Sequence, residues 1–274
     1  MGNTVYRDLA AFGLPLVTPA QPEFASLVHD IESRPGPFGS WPIDDLSNAA
    51  VLLNQTGNAI LDISYLWKYT SARGQAHSTH YSNLGSSSIQ LDVLSGRSEL
   101  VQDLGTFILP GSKRLITERG MFGNNLDVLG QDPRPHGGGY ARAVGGGDRN
   151  TTSEKIVAVE LVLDLAILDD GRCVGPDESG LFESVIEDLE RISSTAEQAA
   201  KSLRDGATAG QIFEILRPLA RHTPPTATPR RRSSFLRMFA DMGIHQLVNV
   251  DSPALERWLE TQAQLRRIRL QRVP

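Results

Sequence analysis

The chain has 274 residues, of which 40% are apolar and 22% are charged, and its formal net charge is −5. This composition supplies a packed core and a solvated surface, and it excludes collagen-like, coiled-coil, disulfide-framework and polytopic membrane proteins. The net negative charge gives the molecule as a whole no electrostatic attraction to nucleic acid.

Residues 1–45 are predicted to form an N-terminal arm with one short helix at residues 22–33. The apolar run at residues 9–17 resembles a signal peptide only loosely, because Gly13 and Pro15 interrupt it. We therefore expect an arm that packs on the following domain. Since Cys173 is the single cysteine, no intrachain disulfide can form, and we expect a cytoplasmic protein.

Residues 46–172 are predicted to form an antiparallel, Ig-like β-sandwich. Apolar and polar side chains alternate along residues 60–69, as in a strand with one buried face. A glycine-rich loop at residues 120–153 is expected to be disordered. The predicted strands are residues 49–54, 60–69, 88–94, 104–109, 113–119 and 155–168.

Residues 173–274 are predicted to be a helical region, which makes the fold class α+β. Apolar residues recur every three or four positions along residues 181–203, so this helix needs a partner surface. The last predicted helix has its own apolar stripe, and we predict that the two helices pack together, within one chain or between two. The predicted helices are residues 181–203, 208–221, 234–242 and 253–270.

One stretch of the sequence is similar to a known group of proteins. It comprises residues 163–177 (LDLAILDDGRCVGPD) and the following Leu181 and Phe182. The stretch resembles an uncharacterised group of bacterial β-sandwich proteins whose last long strand ends in an LD-x4-DDG-x2-VGPD stretch followed by a helix. Residues 53–57, 65–67 and 110–111 are similar to parts of the same pattern. The resemblance covers about residues 46–200 and implies a sandwich followed by a helix. It implies no catalytic residues.

Two groups of residues are candidates for metal binding. His77 and His80 lie three positions apart, and His136 lies in the glycine-rich loop; histidine nitrogens are ligands for zinc or iron. Asp169 and Asp170 head an acidic turn whose oxygens suit a hard cation. The alternative for the histidines is a solvated loop rich in Ser, Gly and Asn.

The acidic turn also has a purely structural interpretation. Asp170-Gly171 is typical of a tight turn, and Asp177 or Ser179 is suited to cap the helix that follows. Cys173 lies among these aspartates, whose negative charge raises the pKa of a thiol and makes it inert.

Basic residues are concentrated near the C-terminus. Residues 217–274 hold 11 basic and 4 acidic residues, a net charge of +7, whereas residues 1–216 hold 16 and 28, a net charge of −12. Such a segment is suited to bind a protein or a polyanion, and arginines near a helix C-terminus also stabilise the helix dipole. The candidate interaction residues are Arg230, Arg231, Arg232, Arg266, Arg267, Arg269 and Arg272.

The sequence favours a non-catalytic binding or protein-interaction module without a cofactor. We expect its partner to be a protein, a second copy of the chain included, rather than nucleic acid. One alternative is a metal-dependent enzyme that uses His77, His80 and His136. Another is a polyanion-binding protein that acts through its basic C-terminus. We assign no catalytic residue.

Overall fold

The computed structural model describes residues 4–33, 46–82, 93–94, 107–118, 120–122, 155–220, 235–249, 252–267 and 270–273. These residues form an α+β fold with two sheets and five α-helices. The strands are β1 (Thr4–Arg7), β2 (Leu16–Val17), β3 (Ala50–Leu53), β4 (Ile60–Ser71), β5 (Ala76–Ser82), β6 (Lys113–Thr117), β7 (Gly120–Phe122), β8 (Ile156–Leu168), β9 (Arg172–Val174) and β10 (Gln271–Val273). The helices are α1 (Phe24–Glu32), α2 (Leu181–Arg204), α3 (Ala209–Ala220), α4 (Phe235–Asn249) and α5 (Ser252–Ala263).

The larger sheet has six strands in the order β10-β9-β8-β4-β5, with β1 also paired to β8. The long antiparallel pair β4–β8 forms its centre. Two pairings are parallel, β1 with β8 and β10 with β9, so this sheet is mixed rather than antiparallel throughout. Parallel pairing requires a long connection, which β1 and β10 have because they come from the two ends of the described chain.

The smaller sheet has four antiparallel strands in the order β2-β3-β6-β7. In β3, Leu52 belongs to the core between the two sheets, whereas Val51 packs with Phe24 and Val28 of α1. Both faces of this strand are therefore buried, which explains its continuous apolar sequence. The structure has four layers: α1, the smaller sheet, the larger sheet and the remaining helices.

A β-bulge at Asp164 redirects the side chains of β8. Ser64 of β4 pairs with Leu165, and Tyr65 pairs with Leu163, so Asp164 has no opposite residue in β4. A bulge of this kind reverses the alternation of side chains. Leu163 therefore packs between the sheets, whereas Leu165 packs against the helices.

The fourth layer is built on α2, and the predicted packing of this helix against α5 is confirmed within one chain. The buried stripe of α2 and that of α5 belong to one apolar cluster, which also contains Leu165 and Ile167 of the larger sheet. Ser193 Oγ donates a hydrogen bond of 2.5 Å to the Ala263 carbonyl across the interface. The stripe residues are Val185, Leu189, Ile192, Ala196, Leu255 and Leu259.

Several predicted boundaries were wrong. Residues 120–122 form β7, which pairs with β6 in a hairpin, rather than the start of a loop. The last helix ends at Ala263 and is followed by a 3-10 turn (Gln264–Arg267) and β10. Of the strand predicted at residues 104–109, Ile108 forms an isolated bridge with Ile60.

Two predicted segments fall largely outside the described part of the chain. They are the strand at residues 88–94, of which only 93–94 are described, and the glycine-rich loop beyond residue 122. Among the described helices, none is long and apolar enough to cross a membrane.

Replacement of Leu189 by Ala tests the α2–α5 packing. Leu189 is 3% exposed, and truncation of a buried leucine leaves a cavity, so the substitution is expected to lower the free energy of unfolding by about 2–4 kcal/mol. Urea denaturation at two protein concentrations measures this loss, which should not depend on concentration because the contact lies within one chain. A loss below about 0.5 kcal/mol is typical of an exposed site and would contradict the packing.

Candidate functional site

Asp164 is the centre of a buried polar cluster at the bulge in β8. Its side chain is fully buried, and its two carboxylate oxygens accept three hydrogen bonds. Oδ1 accepts from the Glu178 backbone N–H at 2.6 Å, and Oδ2 accepts from the hydroxyls of Ser179 at 2.5 Å and Ser64 at 3.2 Å. A buried carboxylate requires such donors, because burial without them is costly.

The backbone of Asp164 also binds the loop at residues 175–179, which contains Glu178 and Ser179. Its carbonyl accepts a hydrogen bond of 2.9 Å from the Asp177 N–H. Gly175, two residues earlier, has a φ of 130°, and a Cβ at this position would overlap the Asp164 carbonyl oxygen. Glycine is required here by the close approach of two backbones. Residues 175–179 are thus fixed to β8 directly before α2 begins.

Asp177 caps α2. Its Oδ1 accepts hydrogen bonds from the N–H groups of Leu181 at 2.7 Å and Phe182 at 3.2 Å, which satisfies the free donors of the first helical turn. The residue has a φ of 54°, a conformation that Asp tolerates better than most residues. Burial raises the pKa of this carboxyl, and the two backbone hydrogen bonds oppose that shift. Gly180 occupies the N-cap position itself, so of the two predicted capping residues Asp177 supplies the acceptor, from three residues before that position.

His80 extends the cluster to β5. Its Nε2 lies 2.5 Å from Ser64 Oγ, so a chain of contacts runs from His80 through Ser64 and Asp164 to Ser179. In a serine nucleophile site the histidine lies between the hydroxyl and the carboxylate. Here the serine lies between them, and its hydroxyl donates to the carboxylate. The Ser64 side chain is also fully buried, so the arrangement connects strands rather than forming an exposed nucleophile.

Four alternating charges lie at the border of this cluster. Glu178 contacts Lys68 at 2.5 Å and Arg7 at 2.8 Å, and Glu160 lies 3.6 Å from Arg7 and 3.8 Å from Lys68. The hydrogen bond from Lys68 is the main reason that the pKa of Glu178 is lowered. These partly exposed pairs join β1, β4, β8 and the loop that leads into α2.

The two histidines predicted as metal ligands do not lie on one surface. Residues 76–82 form strand β5 rather than a loop, and His77 is exposed while His80 is buried. Residues three apart in a strand point to opposite faces. His136 lies outside the described residues. Within the described ranges, no group of three or more His, Cys, Asp or Glu residues could hold a metal ion.

Asp169 and Asp170 take part in hydrogen bonds of the β8–β9 turn. Asp169 Oδ1 accepts from the Asn58 side chain at 2.8 Å, and Asp170 Oδ2 accepts from Arg172 Nε at 2.6 Å. Gly171 has a φ of 85°, as the predicted tight turn requires. Both carboxylates are therefore engaged by neighbouring side chains of this turn.

Cys173 is a buried thiol in β9. Its pKa is raised to about 12, mainly by burial and in addition by the charges of Asp177, Asp170 and Asp62. The neighbouring aspartates contribute to this shift as predicted, but burial in the apolar core is the larger cause. At neutral pH this thiol is protonated and therefore a poor nucleophile.

Few of the predicted interaction arginines can be placed. Arg272 lies in β10, where its Nη2 donates a hydrogen bond of 2.7 Å to the Pro176 carbonyl. Arg266 and Arg267 lie in the 3-10 turn after α5, and their side chains are outside the described part. Arg230, Arg231, Arg232 and Arg269 also lie outside it.

The link between Ser64, His80 and Asp164 was not predicted from the sequence. The available signal was Asp164 itself, a carboxylate in the middle of the apolar run LVLDLAIL. A charged residue within a buried strand indicates a bulge or a polar partner. Ser64 gave no comparable signal, because serine is common at polar positions of a strand.

The comparisons with known proteins give no relative for this arrangement. No protein-family model, no curated protein and no solved structure matches the chain.

Replacement of Asp164 tests its role as an anchor. Asp164→Ala leaves the Glu178 N–H and two hydroxyls without their acceptor, so the free energy of unfolding is expected to fall by about 3 kcal/mol. Asp164→Asn keeps one acceptor oxygen and should cost about half as much. Urea denaturation measures both, with Glu190→Ala at an exposed position of α2 as the control. A loss of less than about 0.5 kcal/mol for Asp164→Ala would show that the contacts do not support the fold.

Asp177→Asn tests the raised pKa of the helix cap. The pKa of Asp177 is higher in the folded state than in the unfolded chain. Its contribution to the free energy of unfolding is therefore fully present below the unfolded pKa and is lost as the pH rises through the folded pKa. Asparagine keeps the acceptor oxygen but does not titrate. The stability of Asp177→Asn relative to the natural chain is therefore expected to increase from pH 3 to pH 7, as measured by urea denaturation.

Asp177→Ala is the matched control, because it removes the cap and should cost about 1 kcal/mol at pH 7. A difference between Asp177→Asn and the natural chain that stays constant with pH would contradict the raised pKa.

Proposed function

We propose that this chain is a non-catalytic protein-interaction module. The observation that carries the proposal is a group of exposed apolar side chains at one end of the larger sheet. Val5 is 53% exposed, Ile156 is 42% exposed and Val157 is 44% exposed. β1 and β8 run parallel and both begin at this end, so the three residues lie on neighbouring strands, with Val5 opposite Glu160. Contiguous exposed apolar patches mark interaction surfaces, and we propose that these side chains are the apolar part of one.

The polar cluster supports a non-catalytic function. The hydroxyl, imidazole and carboxylate that could carry out acid–base chemistry are buried, and their order does not suit a serine nucleophile. The hydrogen bonds of Asp164 and Asp177 fix the start of α2. These groups therefore have a structural use that accounts for their burial.

We also infer a relationship to the bacterial β-sandwich proteins that residues 163–177 resemble. The antiparallel strands β4, β5 and β8 face an antiparallel four-stranded sheet, which supports an Ig-like sandwich to which β1 and β10 are added. Asp164, Gly171, Gly175 and Asp177 of the shared stretch have structural roles, as expected for a motif that specifies a fold. The single buried thiol is consistent with a cytoplasmic protein.

Binding of a polyanion is a second candidate, supported by the net charge of +7 over residues 217–274. Retention on heparin that weakens with salt would favour this candidate. Stoichiometric zinc or iron in the purified protein would instead favour the metal-dependent enzyme.

A charge in the exposed apolar group tests the proposed surface. Val157→Lys is expected to weaken capture of a partner protein, or self-association, by at least about tenfold, because a charge at an apolar contact must be desolvated. Affinity capture from the native cell and sedimentation measure the two effects. The variant should unfold at nearly the same urea concentration as the natural chain, since the position is exposed.

Val248→Lys is the matched control, because Val248 is 78% exposed but lies on α4 in the helical layer. Equal effects of the two variants, or no effect of Val157→Lys, would contradict the proposed surface.

A further inference from the structure

The C-terminal unit, defined by its described residues 252–267 and 270–273, joins the helical layer to the larger sheet. Its helix α5 packs on α2 through Leu255, Leu259 and Ala263. Its strand β10 pairs with β9 over three residues only. Leu265 and Leu270, which follow α5, belong to the same apolar cluster, and Arg272 donates a hydrogen bond to the Pro176 carbonyl.

The apolar interface of α5 contains polar atoms without partners. Gln262 is fully buried, and neither its Nε2 nor its Oε1 has a hydrogen-bond partner among the described residues. Trp258, one turn earlier on the same face, has a buried Nε1 that also lacks one. Its ring stacks on Phe239 of α4, with centroids 5.3 Å apart. Three polar side-chain atoms of α5 are thus buried without a hydrogen bond among the described residues.

These atoms reduce the cost of separating α5 from its neighbours. In the docked state the buried donors and acceptor lose their bonds to water, whereas in an opened state water restores them. Two hydrogen bonds oppose the separation, from Ser193 to the Ala263 carbonyl and from Arg272 to the Pro176 carbonyl. Arg204 pairs with Glu260 at 2.6 Å, but both side chains are about half exposed, and exposed pairs of this kind contribute little.

The attachments of α2 and of the central strands are more extensive. The buried stripe of α2 is apolar except for Asp188 and Ser193, and Ser193 donates to the Ala263 carbonyl. The pair β4–β8 extends over more than ten residues of each strand. Cooperative units of a protein open at different free energies, and the unit with the weakest attachment opens first.

We propose that the C-terminal unit opens reversibly as one unit while α2, the smaller sheet and the other strands of the larger sheet stay folded, and that the buried amide of Gln262 sets how often it does so. Opening uncovers the stripe of α2 that α5 covers. The inference concerns the fold itself and does not depend on the surface at Val157.

Hydrogen exchange of the full chain tests this inference. Amides of α5 are expected to be at least about tenfold less protected than those of residues 185–199 in α2. Gln262→Met removes the unpartnered amide at similar length, and it is expected to slow exchange in α5 about tenfold while exchange in β4 and β8 stays unchanged. Gln262→Leu serves as a second variant with the same expected direction.

Gln198→Met, at an exposed position of α2, is the matched control and should leave exchange in α5 unchanged. Equal protection of α5 and α2 would overturn the proposal. Unchanged or faster backbone exchange in α5 of Gln262→Met and Gln262→Leu would also overturn it. The side-chain amide of Gln262 would then not weaken the attachment of α5.

Discussion

The structure depends on the buried carboxylate of Asp164, which accepts hydrogen bonds from donors of the protein itself. Asp164 occupies a bulge, and its side chain and carbonyl hold residues 177–179 against β8. A bulge alone would place a charge in an apolar layer, at a cost of several kcal/mol. The loop at residues 177–179 supplies donors that offset this cost. Because these hydrogen bonds hold the loop to β8, they also fix its conformation. The long helix α2 therefore begins at a defined position above the sheet.

The same bulge separates two cores. On one side of it, β8 presents Leu161 and Leu163 to the smaller sheet; on the other side, it presents Leu165 and Ile167 to the helices. One strand thus contributes to both interfaces of the larger sheet. A strict alternation of apolar and polar residues could not achieve this, because one face would remain polar along the whole strand.

Strong local periodicity made β4, β8, α1 and α2 predictable from the sequence, and the apolar stripes of α2 and α5 predicted their contact. The short strands β1 and β10 were not predictable, since three or four residues carry little periodicity and their partners are distant in sequence. β5 was interpreted as a loop because its polar residues suit an edge strand equally well. In the site, the cap at Asp177 followed from local rules, whereas the Ser64–His80 contact depends on the pairing of two strands.

The pairing of β1 with β8 has a consequence for synthesis of the chain. Thr4 pairs with Val159, so more than half of the chain must be made before the first strand meets its partner. Closure of a loop this long is slow compared with the formation of hairpins and helices. During translation β1 therefore leaves the ribosome long before its partner strand is made, and its pairing with β8 is a late step of folding.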